Sequence, residues 1–93
     1  MTGTLTLPAR LDLVNTRPLA DDILARAGGD LIIDAGGVGH LGALAAQVLL
    51  AAARDWKRAG HRLTIAPRSA AFDEAMAVLG LGDHLGTGAG EWA

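Results

Sequence analysis

Gly36-Gly37-Val38-Gly39-His40-Leu41-Gly42 is the stretch on which the reading of this chain turns. It follows the apolar run Leu31-Ile32-Ile33-Asp34-Ala35 and precedes a long Leu/Ala-rich stretch. From Gly37 to Gly42 it spells G-x-G-x-x-G between an expected strand and an expected helix. In a dinucleotide-binding site that pattern lets the backbone approach a pyrophosphate at a helix N-terminus. The same residues also read as the contact loop of a small binding domain. The two readings need different surroundings, so the rest of the chain separates them.

Outward from the loop, apolar residues continue at helical spacing. Residues 41–59 read as a helix of about five turns, with Leu41, Leu44, Ala45, Val48, Ala52 and Trp56 on one side. Leu49 and Leu50 widen that stripe, as in a helix covered on several sides. Gly60 is the expected left-handed terminator. Before the loop, the uninterrupted apolarity of Leu31–Ala35 predicts a strand buried on both faces. Thr4-Leu5-Thr6-Leu7-Pro8 alternates and reads as a short strand that Pro8 ends or places at an edge. Asp12, Asn15 and Thr16 are N-cap candidates for a helix with Pro18 in its first turn. Leu19, Ile23, Leu24 and Ala27 form its apolar side, and Gly28-Gly29 stops it. After Gly60 comes a strand over Arg62–Ala66, ended by Pro67, then a helix capped by Ser69 with Phe72, Ala75, Met76 and Leu79 inward. Gly86–Ala93 reads as a Gly-rich mobile tail.

The order β-α-β-α-β-α predicts an α/β fold: one small domain with a mostly parallel sheet and about three covering helices. A 93-residue chain removes only about 60% of its unfolded surface from water, enough for one core without a large cleft. With 51% hydrophobic residues and a mean hydropathy of +0.31, the chain is not a disordered one.

Composition narrows the function classes. A net charge of −2 argues against nucleic acid, which calls for a basic face. Arg54, Lys57, Arg58, Arg62 and Arg68 are interleaved with Asp55 and Asp73 and read as a solvated rim. The lack of cysteine removes thiolate chemistry and disulfides. No signal peptide is visible, and the uncharged run 35–53 has four glycines and too short an apolar part to span a bilayer. A cytoplasmic protein is the expectation.

Individual residues offer little chemistry. His40, His61 and His84 share no ligand spacing, so no metal site is expected. Asp34 reads as a cap for the glycine loop, accepting backbone N–H groups, in preference to a catalytic carboxylate. No nucleophile–base or carboxylate pair appears, so no catalytic residue and no cofactor is assigned. For the nucleotide reading, the next strand should end in an acid for the ribose. It ends Ala66-Pro67-Arg68, and the chain stops one helix later, before the sheet such a site needs.

At this point the chain resembles a STAS domain, the fold shared by anti-sigma factor antagonists and the cytoplasmic ends of sulfate transporters. The resemblance covers residues 4–85. Leu31-Ile32-Ile33-Asp34 is similar to the family's apolar strand ending in Asp, Gly37-Val38 to its small-residue-plus-Val step, and Leu41 to the apolar position before its signature. Gly60–Ile65 and Phe72–Leu81 are similar to its later strand and last helix. The family then has Asp-Ser-Ser-Gly, where this chain has Gly42-Ala43-Leu44-Ala45.

The resemblance implies a non-catalytic protein-interaction module that regulates or scaffolds a partner. The implied partners are an anti-sigma factor of the histidine-kinase-like fold, a chemotaxis kinase or a subunit of an ABC transporter. The family's docking positions fall on Gly37, Val38, Gly39, His40, Leu41, Gly42, Ala43 and Leu44. The phosphorylated serine falls on Ala43, which has no hydroxyl, so the charge switch of the antagonists is not available there. Small uncharged residues at these positions suit an ungated apolar interface. The alternative is a small nucleotide-binding protein using loop 36–42, and self-association through the long helix is a further possibility.

Overall fold

A computed structural model describes residues 3–80. The expected tail at 86–93 and the end of the 4–85 domain reading lie outside these residues. The elements are β1 (Gly3–Thr6), β2 (Arg10–Leu11), α1 (Leu13–Leu24), β3 (Leu31–Ala35), β4 (His40–Leu41), α2 (Ala43–Arg58), β5 (Leu63–Arg68) and α3 (Ala70–Val78). The α/β class and mostly parallel sheet anticipated from sequence are present. β1, β3 and β5 form one sheet in the order β1-β3-β5, and every pairing is parallel. β2 and β4, not anticipated, pair in parallel as a separate two-residue ladder with Arg10 opposite His40 and Leu11 opposite Leu41.

The sheet is covered on one face. Leu5, Leu31, Ile33, Leu63 and Ile65 are buried, whereas Thr4 and Thr6 are exposed and Ile32 is 39% exposed on the other side. This corrects the expectation of two buried faces for Leu31–Ala35. The reason is topological. The chain steps from β1 to β3 to β5 in one direction, and crossovers of one hand taken in one direction lay their helices on the same face. α1 and α2 accordingly pack on each other above that face. Leu49 and Leu50 are both buried because α2 meets the sheet below and α1 alongside.

Helix ends follow their local chemistry. Asp12 is the N-cap of α1, its carboxylate accepting the Val14 and Asn15 N–H groups. Asn15 and Thr16, the other candidates, lie inside the helix; the Thr16 hydroxyl donates to Asp12 O at 2.8 Å. Pro18 falls in the body of α1 and not in its first turn. The Val14 carbonyl it leaves without an N–H partner belongs to an exposed residue. Leu24 and Ala27 are exposed, because α1 ends at Leu24 and only Thr16, Leu19 and Ile23 reach the core.

At the end of α2, Gly60 has φ 81°. Its N–H donates to Lys57 O and the His61 N–H to Trp56 O, closing the helix with a left-handed cap. Trp56 is buried and its indole N–H donates to Gly29 O at 2.8 Å, tying the foot of α2 to the turn after α1. β5 runs through Pro67 to Arg68 with a register shift opposite Ile33 and Ala35. Proline is tolerated there because β5 is an edge strand. On α3, Phe72 and Met76 are buried, while Leu79 lies past the last helical residue and is partly exposed.

Candidate functional site

The glycine loop does not enter α2 directly. After β3 it turns at Gly36–Gly37, runs along β2 as β4, and only then starts the helix. Asp34 caps the turn as expected, its Oδ1 accepting the Gly36 N–H at 2.9 Å. The Val38 N–H donates to Ala35 O, and the Gly39 and His40 N–H groups both donate to Ala9 O, at 2.7 and 3.1 Å. The Gly42 N–H donates to Leu11 O at 2.8 Å. These bonds engage the Gly36, Val38, Gly39, His40 and Gly42 amides within the domain.

Positive φ is not what the loop's glycines supply. Within the described residues it occurs only at Gly28, Gly60 and Gly80. Two loop glycines serve close approach instead. A Cβ on Gly36 would lie 2.9 Å from Pro67 Cγ, and one on Gly42 would lie 2.9 Å from Leu11 O. The parallel β2–β4 ladder thus brings the entries of α1 and α2 into backbone contact at Gly42.

The anticipated docking residues divide by burial. Val38 and Leu41 are 2% and 5% exposed and belong to the core, so their side chains present nothing to a partner. Gly37, Gly39, His40 and Ala43 are exposed, Gly42 is half-buried, and Leu44 is 52% exposed. α2 begins at Gly42 without any side-chain cap and without an acid in its first turn. Beside it, Leu13 and Val14 at the start of α1 are 76% and 80% exposed. Asp12, Leu13, Thr16, His40, Gly42, Ala43, Leu44 and Ala45 line a groove of about 360 Å³ between the two helix starts.

Leu13 and Val14 were missed from sequence. For Val14 the signal is its place half a turn from Thr16, off the inward stripe of α1; Leu13, three residues before Thr16, carries no such signal. The pairing of β2 with β4, which brings Leu13 onto one groove with Leu44, has no signal in two-residue strands.

Charge at this end is largely neutralised. Arg10 Nε lies 3.2 Å from Asp12 Oδ2. Partial desolvation raises the Asp12 carboxyl, but the Asn15 amide, the Arg10 guanidinium and the Val14 amide outweigh it and hold it below the usual carboxylate value. The loop is fastened on its other side by Ser69. Its hydroxyl donates to Val38 O at 2.5 Å and accepts the Phe72 N–H at 3.0 Å, and its N–H donates to Ala35 O. Ser69 therefore caps α3, as expected, and also anchors the loop. Among the described residues no group of His, Asp and Glu is arranged to hold a metal ion.

A one-sided parallel α/β sheet with an uncharged loop and helix start at one end is the architecture of this small domain. The chain matches the family model described as Mlab, STAS domain, over residues 1–87, and it belongs to that family. No curated protein and no solved structure matches it. No helix among the described residues is long and apolar enough to cross a membrane.

Proposed function

We propose that this STAS domain is a non-catalytic docking module whose contact face joins loop 37–44 to the first turn of α1. The observation that carries this reading is the exposure of Leu13 and Leu44, which both line the groove at Gly42 and Ala43. Single exposed apolar residues are ordinary, but two large ones facing one groove suit an interaction site. The docked partner belongs to one of the classes the resemblance implies: a kinase-fold anti-sigma factor, a chemotaxis kinase or an ABC transporter subunit. With Ala43 where the family's phosphoserine would stand, the interface works without a phosphate gate at that position. The nucleotide alternative is disfavoured because the Gly36, Val38, Gly39, His40 and Gly42 amides are bonded to Asp34, Ala35, Ala9 and Leu11, which leaves a phosphate only the first turn of α2.

The test is co-purification from the native cell with identification of the bound protein. Leu44→Asp and Leu13→Asp place charge on exposed positions and leave the core intact. Both variants are expected to fold, by circular dichroism, and to lose a partner of one of these classes. Retention of that partner by both would show that this face is not the contact surface.

A further inference from the structure

α3 is apolar on more sides than its own domain covers. Its inner side, Phe72 and Met76, is buried. A second side carries Ala71, Ala75, Val78 and Leu79, and Val78 is 82% exposed. A helix apolar on two sides is normally covered on both. That second side and residues Gly39–Leu41 line an open groove of about 350 Å³, which adjoins the one between α1 and α2 at His40, a residue that lines both. Ala71 and Ala75 are one turn apart, so the wall they form is low and admits another helix at short distance.

The charges of α3 narrow what fits. Asp73 and Glu74 are its only ionised side chains. Asp73 is engaged by Arg68, Nη1 to Oδ1 at 3.5 Å. Glu74 lines the groove and has no ion-pair partner among the described residues. An apolar groove carrying one unmatched carboxylate suits an amphipathic helix with a Lys or Arg beside its apolar stripe. It opposes an anionic membrane surface, where the same carboxylate is repelled.

We propose that the α3 groove is a second docking surface, which takes an amphipathic helix of a protein partner with a basic residue set against Glu74. It goes beyond the contact face of the proposed function, with which it shares the loop residues Gly39, His40 and Leu41, and it depends on Glu74 and Val78, which that face does not use, so variants at those two positions test it alone.

The test uses the full chain and a pair of labelled amphipathic peptides of about five helical turns. Both have a Leu/Ala apolar face; one has a central Lys and its twin a central Glu. Fluorescence anisotropy is expected to show the Lys peptide binding about tenfold more tightly than the Glu peptide, since attraction is exchanged for repulsion. Glu74→Lys should reverse that order, Val78→Asp should abolish binding of both, and Leu44→Asp should leave it unchanged. Backbone amide shifts should map to residues 71–79 and 39–41. The proposal is overturned if the two peptides bind equally or not at all, or if Glu74→Lys leaves their order intact. It is also overturned if the peptide shifts residues 81–93 out of the groove, which would make the chain's own end the occupant, or if the chain binds phosphatidylglycerol vesicles through Val78.

Discussion

At Gly42 a single hydrogen atom stands where other residues have a side chain, and the backbone has closed over it. A Cβ there would sit 2.9 Å from the Leu11 carbonyl oxygen, a main-chain atom that cannot swing aside. The neighbouring Ala43 is exposed and opens onto the groove. These adjacent positions therefore respond differently to restoration of the Asp-Ser pair that the STAS resemblance places there. Gly42→Ala is expected to destabilise the fold by about 1–3 kcal/mol, the usual cost of overpacking, measured by urea denaturation. Ala43→Ser, used as its control, should change stability by no more than about 0.5 kcal/mol. Position 43 has room for a hydroxyl, whereas the backbone at position 42 leaves none for a larger side chain.

Two helix starts act as fasteners for the docking end, by different chemistry. Ser69 caps α3 and holds Val38 O, so its hydroxyl joins an element to the loop. Ser69→Ala removes the cap acceptor and the donor to Val38 together. It should cost about 1–2 kcal/mol in chemical denaturation and raise amide exchange at Gly39 and His40, which follow Val38 in the loop and donate to Ala9 O. Asp12 caps α1 as an ionised group. Its carboxyl is lowered in the fold, so the unfolded chain takes up its proton more readily than the native one. The stabilisation is complete above the carboxyl's ordinary value and is lost as pH falls through its lowered native value. Asp12→Asn keeps an acceptor for the Val14 and Asn15 amides but does not titrate. Denaturation midpoints at pH 7 and near pH 3 should therefore converge more in the variant than in the parent. An equal loss of stability in both would show that Asp12 is not a source of the acid dependence.

For the molecule as a whole, one core serves both the sheet and the docking end. Phe72 is fully buried beneath α3, and Leu11, Val38 and Leu41 of the β2–β4 region belong to the same cluster as Ile33 and Leu49. Loop and sheet are therefore expected to unfold together. Phe72→Ala should cost about 3–5 kcal/mol, a large share of the roughly 5–15 kcal/mol available to a domain. The thermal melt is expected to remain a single transition at lower temperature. A separate early transition for α3 would show that the groove it lines is independent of the core.

Much of this was legible in the residues, for reasons that are local. Leu31–Ala35 is bounded as read because apolar β-branched residues end at glycines. Gly60 and Ser69 act at the helix ends where their conformational freedom and hydroxyl placed them. Asp34 caps the glycine turn through a bond only two residues long. Family membership was legible too, because it rests on the succession of such segments. What pairing across the chain decides was hidden. Two residues each of β2 and β4 carry no periodicity, yet this pairing engages the Gly39, His40 and Gly42 amides, buries Leu41, and sets Leu13 and Leu44 on one groove. The single covered face of the sheet likewise follows from the direction of two crossovers, which no one strand encodes. The sequence by itself determined the main strands and helices, several of their caps and the family. Only the tertiary structure decided which apolar side chains face a partner, because exposure depends on contacts between segments that are distant in the chain.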